Sequence, residues 1–275
     1  MDSDVRTIPV GGLPVAALDR ATTARLTIDS AIARRGRNEP CLFFTTTNGQ
    51  VVSLCASQPE VRTLYGQADL ISPDGMSVVT ASRLLCREGL PERVATTDAF
   101  HDAALLAEET GASFYFLGAS ESMNKSAVAR AQALYPRLKI VGRRNGYFKQ
   151  DEEAAIIAEI NRARPDVLWL GLGVPRQQDF IVRNRAKMTG VGVAKTCGGL
   201  FDFLSGKNSR APAWMQGAGL EWLYRVMLEP RRLFLRYLVT NPHAIYVLAT
   251  RTGEKHVAAM VASGAAPALA GGDQA

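Results

Sequence analysis

Three short polar segments carry the side chains of this chain that are best suited to chemistry on a hydroxyl or a phosphate. They are Thr45-Thr-Thr-Asn48, Ser72-Pro-Asp-Gly75 and Gly171-Leu-Gly-Val-Pro-Arg-Gln-Gln-Asp-Phe180, and each follows an apolar run that predicts a buried strand. Strand ends of an α/β sheet bring loop amides and polar side chains to one rim, where such folds bind ligands. The three segments therefore predict one shared site.

Asp74 is the candidate general base, because a carboxylate at the rim of a sheet can take the proton from a sugar hydroxyl as that hydroxyl attacks. On its own, the Pro73-Asp74-Gly75 sequence is more typical of an ordinary turn. The two other polar segments are what favour the catalytic interpretation.

Thr46, Asn48 and Gln177 are the candidate partners of Asp74. A hydroxyl or an amide binds sugar hydroxyls and phosphate oxygens without adding charge. The alternative is structural: Thr46 and Asn48 would close a turn, and Gln177 would be a solvated residue in the first turn of a helix.

A nicotinamide cofactor and a bound metal are both disfavoured by the sequence. Gly171 and Gly173 do not form a G-x-G-x-x-G fingerprint, because Val174-Pro175 stands where that turn would continue. Asp2-Ser-Asp4 is formally a D-x-D, but no strand precedes it. We therefore expect no cofactor and no metal, and any diphosphate must be met by Arg, Lys, backbone N–H groups and helix N-termini.

The composition predicts a cytosolic globular protein. The 275 residues are 47% hydrophobic, and no apolar run reaches the roughly 18–20 residues that a membrane span needs. The start of the chain lacks the apolar region of a signal peptide. Four widely spaced cysteines without a C-x-x-C pattern are expected to be reduced core thiols: Cys41, Cys55, Cys86 and Cys197.

The positive charge is concentrated near the C-terminus. Residues 207–255 hold eight Lys and Arg against three Glu, which gives +5 of the total +6. Aromatic and aliphatic residues alternate with these arginines on predicted helices, a pattern typical of a segment that binds an anionic lipid surface. We prefer this interpretation to nucleic-acid binding, since phosphate contacts alone do not require so much apolar surface.

Strands alternate with helices of 10–15 residues through most of the chain, which predicts an α/β fold with a mainly parallel, Rossmann-like sheet and helices on both faces. The predicted strands are 40–46, 68–71, 113–117, 139–142, 167–170 and 191–196. From about residue 205 only helices are predicted, at 214–228, 230–240 and 243–250. The expected organisation is a core of residues 1–206, a basic helical appendage of residues 207–256 and a disordered tail of residues 257–275.

An ordered set of short motifs resembles the WecG/TagA/CpsF family of bacterial glycosyltransferases from about Phe43 to Tyr246. Each motif alone is weak, but their order is specific. The motifs are Thr46-x-Asn48, Pro73-Asp74-Gly75, Phe116-Leu-Gly118, Gly146-Tyr-Phe148, Gly173-x-Pro-x-Gln177, Gly198-Gly-x-Phe-Asp-Phe203, Arg210-Ala-Pro212, Glu221-Trp-x-x-Arg225 and Glu229-Pro-x-Arg232.

The resemblance implies an inverting, metal-independent transfer of a sugar from a UDP-sugar to a sugar on a polyprenyl diphosphate. It implies that Asp74 is the base and that Thr46 and Gln177 complete the catalytic group. Arginines of the appendage would close over the site and bind the diphosphate. The predicted substrate-binding residues are Asn48, Gly118, Gly173, Arg225 and Arg232.

One residue departs from the family pattern. Gln178 stands where the family usually has Glu, and if that Glu sets sugar choice, this chain uses a different donor. N-acetylmannosamine, its uronic acid and glucose are the donor sugars that the resemblance allows. The polysaccharide product stays open.

The predicted partners are the UDP-sugar, the lipid-linked acceptor and the inner face of the plasma membrane, with no nucleic acid. Whether the chain forms a homo-oligomer is left open. Two other functions stay open at this point: a non-catalytic nucleotide-sugar-binding module of a polysaccharide complex, and an NAD(P)-dependent oxidoreductase on a similar fold.

Overall fold

The computed structural model describes residues 5–217 and 219–253, apart from the side chains of residues 213, 232 and 236. Its strands form a two-stranded hairpin and a six-stranded sheet in which every neighbouring pair is parallel. The predicted α/β class is therefore confirmed. The strands are β1 (Thr7–Val10), β2 (Leu13–Ala16), β3 (Leu42–Thr47), β4 (Leu70–Pro73), β5 (Ser113–Gly118), β6 (Lys139–Arg144), β7 (Val167–Gly171) and β8 (Val193–Thr196).

Twelve described α-helices surround these strands. They are α1 (Arg20–Ala33), α2 (Gly49–Ser57), α3 (Pro59–Tyr65), α4 (Met76–Leu85), α5 (Thr96–Thr110), α6 (Glu121–Leu134), α7 (Glu153–Ala163), α8 (Arg176–Asn184), α9 (Leu200–Leu204), α10 (Ala213–Gly217), α11 (Glu221–Leu228) and α12 (Pro230–Thr250). Short 3₁₀ turns precede α7 at Gln150–Glu152 and follow α8 at Arg185–Lys187.

The order of strands in the large sheet is β4-β3-β8-β7-β5-β6. Because all six strands run the same way, their carboxyl ends meet at one edge. The three polar segments singled out from the sequence leave the sheet at that edge, after β3, β4 and β7. The fold thus brings together residues that are more than 100 positions apart in the chain.

Large apolar side chains fill both faces of this sheet. On one face, Phe44, Phe114 and Trp169 pack against α1, α5 and α6. On the other, Phe43 and Leu168 pack against α7 and α8. Full burial of each such side chain contributes about 1.5–3 kcal/mol, so the sheet is a rigid platform for the loops at its edge.

The C-terminal helices differ from the prediction in one respect. Helix α12 runs without a break through Pro242. A proline inside a helix removes a backbone hydrogen bond, so the sequence predicted that a new helix begins at His243. Tertiary packing explains the difference, because Ala244, Val247 and Leu248 are buried. Val247 and Leu248 belong to the same apolar cluster as residues of α2, and His243 shares a hydrogen bond with Ser53 of that helix.

In the N-terminal part of the chain, one element was not predicted and one helix cap was predicted at the wrong residue. The β1–β2 hairpin was not predicted, because each strand has only four residues. Ser57 was predicted to cap a helix, yet its hydroxyl donates back to the carbonyl of Ser53, and Gln58 precedes α3 instead. By contrast, Gly111 does end α5 in a left-handed conformation, and Ser120 caps α6.

Some sequence predictions concern regions outside the described residues. These are the D-x-D at residues 2–4, Lys255 and the tail at residues 257–275. The proposed division at residues 206 and 207 stays a prediction. Among the described helices, none is long and apolar enough to cross a membrane.

Candidate active site

A cleft of about 1000 Å³ opens at the carboxyl edge of the sheet, beneath α11 and α12. Four of the predicted site residues, Thr46, Asn48, Asp74 and Gln177, line it together. The loop after β8 and the C-terminal helices complete its walls, as do Gly173 and Arg225. The sequence therefore identified residues from three loops that the fold does bring to one cavity.

The Asp74 carboxylate is held at the start of α5. Thr96 donates to it from its backbone N–H at 3.3 Å and from its hydroxyl at 3.1 Å, while about a quarter of the Asp74 side chain stays exposed. The positive end of the α5 dipole favours a negative charge here. An anchored, partly exposed carboxylate that faces a cleft is suited to accept a proton from a bound hydroxyl.

The loop of Asp74 packs closely against the loop after β3. The backbone N–H of Asp74 donates to the carbonyl of Thr47 at 2.8 Å. A side chain at Gly75 would come within 2.9 Å of Asn48, so this position needs glycine for the close approach. The contact keeps Asp74 beside Asn48, which also caps α2 by accepting from the N–H of Val51.

Gln177 is 3% exposed rather than a solvated residue in the first turn of a helix. The backbone N–H of Gly198 donates to its side-chain oxygen at 3.3 Å, which ties α8 to the loop after β8. Gly173, in the same segment, has a φ of +82° and open space where a side chain would stand. The segment thus offers an anchored amide next to an unobstructed backbone.

Gly118 does not line the cleft, although it was predicted to bind substrate. Its φ is +147°, and a side chain there would come within 2.4 Å of the carbonyl oxygen of Gly171. The close approach of β5 and β7 therefore explains the glycine. The next two residues, Ala119 and Ser120, are the ones that reach the cleft.

Gln178, the residue that departs from the family pattern, points away from the cleft. It is completely buried and donates to the hydroxyls of Tyr65, at 2.9 Å, and Thr45, at 3.2 Å. The Tyr65 hydroxyl in turn donates to the carbonyl of Thr46. Through Tyr65, Gln178 thus supports the backbone of Thr46 on the side away from the cleft. In this arrangement the side chain of Gln178 does not contact a donor sugar.

The basic residues of the appendage were predicted to cover the site, and Arg225 does lie on its wall. Its guanidinium stacks over the ring of Phe203 at 5.3 Å and approaches Gly199. An Arg on an aromatic face is held in place yet keeps its N–H donors for an anion. The side chain of Arg232 lies outside the described part of the chain.

Arg93 was not identified from the sequence, although it contacts Asp74 directly. It donates to the backbone carbonyl of Asp74 at 2.6 Å and lies 3.8 Å from the Asp74 carboxylate. Its other partner is Glu221 of α11, at 2.7 Å. No local motif marks Arg93, since its ion-pair partner Glu221 lies 128 positions later in the chain.

Glu221 also pairs with Arg210, at 3.3 Å, and Arg210 pairs with Asp98 of α5 at 2.7 Å. These ion pairs form a chain from α5 through the appendage to Asp74. Because both Arg210 and Glu221 are partly shielded from water, such pairs are screened less than surface pairs. The appendage is therefore joined electrostatically to the catalytic loop.

Cys197 lies at the floor of the cleft and is 4% exposed. Burial raises the pKa of its thiol well above the usual value, so the sulfur is protonated at neutral pH. A protonated thiol is a poor nucleophile, which leaves Asp74 as the better-placed reactive group. Within the described residues, no three His, Cys, Asp or Glu side chains gather into a metal-binding group.

Comparisons with known proteins found a matching family and relatives with named activities. The sequence profile of the glycosyl transferase WecG/TagA/CpsF family matches residues 8–256. An N-acetylglucosaminyldiphosphoundecaprenol N-acetyl-beta-D-mannosaminyltransferase of Bacillus subtilis (strain 168) is 31% identical over 211 residues, 77% of this chain and 80% of the relative. A protein of the same name from Bacillus spizizenii is 32% identical over 190 residues, 69% of this chain and 72% of the relative.

Proposed function

Because the chain belongs to the WecG/TagA/CpsF family of glycosyl transferases, we propose that it moves a sugar from a UDP-sugar onto a sugar carried by a polyprenyl diphosphate. The observation that carries the proposal is the grouping of Asp74, Thr46, Asn48 and Gln177 in one cleft. Family membership makes the chain an enzyme of glycosyl transfer, and the two other functions left open by the sequence lose their support.

Asp74 acts as the general base in this proposal. Its carboxylate removes the proton of the acceptor hydroxyl while that oxygen forms a bond to the anomeric carbon of the donor. The bond between that carbon and the UDP oxygen breaks on the opposite face, and the electron pair leaves with UDP. A single displacement of this kind inverts the anomeric configuration.

Thr46, Asn48 and Gln177 orient the two substrates around Asp74. Asn48 caps α2 and Gln177 is buried, so these two side chains lose little conformational freedom when sugars bind. Holding two reactants at the right distance and angle can supply several kcal/mol of the lowering of the barrier. The open backbone at Gly173 leaves room for a sugar or a phosphate to approach.

Arg225, with Arg232, would stabilise the negative charge that develops on the departing UDP. The glycine-rich loop after β8 leaves room for the diphosphate beside these arginines, since Gly198 has open space where a side chain would stand. Such preorganised donors are often the largest contribution to catalysis in group transfer. The proposed reaction therefore needs no metal.

The acceptor class follows from the relatives. Their names specify a diphosphoundecaprenol-linked N-acetylglucosamine as acceptor and an N-acetyl-β-D-mannosaminyl group as the sugar moved. We propose the same class of acceptor here, a sugar on a polyprenyl diphosphate. The donor sugar is left open, and N-acetylmannosamine, its uronic acid and glucose are the candidates.

We also propose that α11 and α12 attach the enzyme to the inner face of the plasma membrane, where such an acceptor resides. These helices expose a continuous series of apolar side chains next to Arg231. Five of these exposed side chains, here called the apolar patch, are Met227, Phe234, Leu235, Leu238 and Val239. An apolar face beside basic residues matches the chemistry of an anionic lipid surface.

Replacing Leu235 and Leu238 together by Asp should lower binding to phosphatidylglycerol vesicles at least about tenfold. Both side chains are more than half exposed, so their burial in lipid is lost without damage to the protein core. Vesicle cosedimentation measures the effect. The matched control is Leu105→Asp, at a similarly exposed leucine of α5; equal loss of binding in that control would contradict the assignment of the patch.

The direct test of the function is UDP release. The purified full-length enzyme is incubated with each candidate UDP-sugar and a synthetic lipid diphosphate-sugar, in the presence of EDTA. One donor should give UDP release that requires the acceptor and persists in EDTA. No release with any donor, or a strict requirement for Mg²⁺, would contradict the proposal.

A further inference from the structure

Arg93 lies between two carboxylates, those of Asp74 and Glu221, and the two contacts are unequal. Its terminal Nη2 atom is 2.7 Å from Oε2 of Glu221 and 3.8 Å from Oδ1 of Asp74. The second distance is too long for a hydrogen bond. Within the described residues, these are the two carboxylates at ion-pair distance from Arg93. The guanidinium therefore lies beside the proposed base without binding its carboxylate.

Two further contacts hold Arg93 next to the catalytic loop. Its Nε atom donates to the backbone carbonyl of Asp74 at 2.6 Å, and the N–H of Val94 donates to the carbonyl of Pro73 at 2.7 Å. Neither contact involves α11, so Arg93 stays beside Asp74 when α11 moves. The side chains of Arg93 and Glu221 are only 18% and 13% exposed, and charges so shielded from water interact more strongly than surface charges.

Glu221 reaches Arg93 from the first turn of α11. The turn before α11 packs on the helix that follows the catalytic loop, since a side chain at Gly219 would come within 3.3 Å of Met76. On its other side, the Glu221 carboxylate lies 3.3 Å from Arg210, which itself pairs with α5. The position of the Glu221 carboxylate is therefore set by the docking of α11 on the core.

Glu221 and Asp74 compete for the same guanidinium. An arginine and a carboxylate favour a close contact with two parallel hydrogen bonds. Without the charge of Glu221, Arg93 would close onto Asp74, because that carboxylate is its remaining ionic partner. A carboxylate bound in this way is a weaker base, since the adjacent positive charge favours its ionised form. It also has fewer lone pairs left to accept a hydrogen bond from a substrate hydroxyl.

We propose that Glu221 is a positioning residue of the transfer reaction, which holds the Arg93 guanidinium away from the Asp74 carboxylate and leaves that base free for the acceptor hydroxyl. The inference rests on the proposed role of Asp74. Glu221 neither gives nor takes the proton that is transferred, and it acts through Arg93. Because Glu221 belongs to α11, the base is free only while that helix lies on the core.

The test is Glu221→Gln in the full-length chain, which keeps the shape of the side chain and removes its charge. In assays of sugar transfer, kcat should fall about tenfold to a hundredfold, as expected when an opposite charge weakens the base. The Kd for UDP should stay close to that of the wild type. Glu221→Asp keeps the charge and should recover part of the lost kcat. The matched control is Glu39→Gln, which breaks an ion pair with Arg34 ahead of β3 and should behave like the wild type.

A double-mutant cycle separates this role from a structural one. If Glu221 acts through Arg93, Glu221→Gln should have little further effect on kcat once Arg93→Gln is present, because no guanidinium is left to close onto Asp74. A glutamate that only supports α11 would lower kcat by the same factor with and without Arg93→Gln. It would also weaken the binding of UDP and of phosphatidylglycerol vesicles.

Four outcomes would overturn the proposal. The first is a folded Glu221→Gln variant with normal kcat. The second is an equal loss of kcat with and without Arg93→Gln. The third is failure of both Glu221→Gln and Glu221→Asp to fold, which would make the glutamate structural. The fourth is an Arg93→Gln variant with no measurable transfer, which would place that arginine itself in the reaction. Absence of transfer by the wild type with every donor would instead refute the proposed function.

Discussion

Asp74→Asn should lower kcat for sugar transfer by about 10²–10⁴-fold, the usual contribution of a positioned general base. The amide has the same shape: its oxygen can still accept from the backbone N–H of Thr96, and its NH2 can donate to the Thr96 hydroxyl. The Kd for UDP should therefore change little, because binding does not require the proton acceptor. Initial rates of UDP release and calorimetric titration with UDP measure the two quantities.

The control for this variant is Asp29→Asn, at an exposed aspartate on α1. It makes the same chemical change outside the cleft and should leave both kcat and Kd unaltered. A turnover of Asp74→Asn within about tenfold of wild type would remove Asp74 from the role of base. Loss of turnover together with loss of UDP binding would show a damaged site rather than a missing base.

Arg225→Ala should lower kcat/KM by about 10²–10³-fold, as expected for removal of one donor to a charge that develops in the transition state. The guanidinium lies on the cleft wall, stacked on Phe203, and its loss leaves the sheet intact. Only a small change in Tm is expected, since a cation–π contact of a partly exposed arginine contributes about 0.5–1 kcal/mol. Initial rates at varied UDP-sugar concentration measure the effect.

The comparison for Arg225 is Arg25→Ala, an exposed arginine of α1. Addition of guanidinium ion should restore part of the activity of Arg225→Ala and none of that of Asp74→Asn. A normal kcat/KM for Arg225→Ala in detergent, where membrane attachment is irrelevant, would exclude a role for this residue in chemistry.

The positions of Asp74, Thr46 and Gln177 could be predicted because parallel strands impose a simple rule. A polar segment that directly follows a buried strand must lie at the carboxyl edge of the sheet, whatever its partners are. Strands and helices alternate clearly enough in the sequence for that rule to be applied.

Arg93 and Thr96 could not be found in the same way, although both contact Asp74. They lie in a segment with no strand before it, and their contact with the base depends on where the start of α5 meets the sheet. Likewise, the pairing of Arg93 with Glu221 arises from docking of α11 on the core. Such tertiary contacts leave no periodic or local signal in one sequence.

The C-terminal helices show a third kind of limit. Pro242 predicted a break that does not occur, because α12 packs along α2 and buries Val247 completely. The packing outweighs the lost hydrogen bond, about 3 kcal/mol for an interior proline. Because of this packing, deletion of the appendage would expose core residues to solvent. Point substitutions are therefore a better test of what the appendage does.

The proposed reaction is a single displacement in which Asp74 removes the acceptor proton as UDP leaves. The most direct test is the anomeric configuration of the sugar in the product, read by NMR coupling constants after reaction of an α-linked UDP-sugar with the lipid diphosphate-sugar. A β-linked product is predicted. An α-linked product would mean retention of configuration, which a single in-line displacement cannot give, and would contradict the proposed reaction.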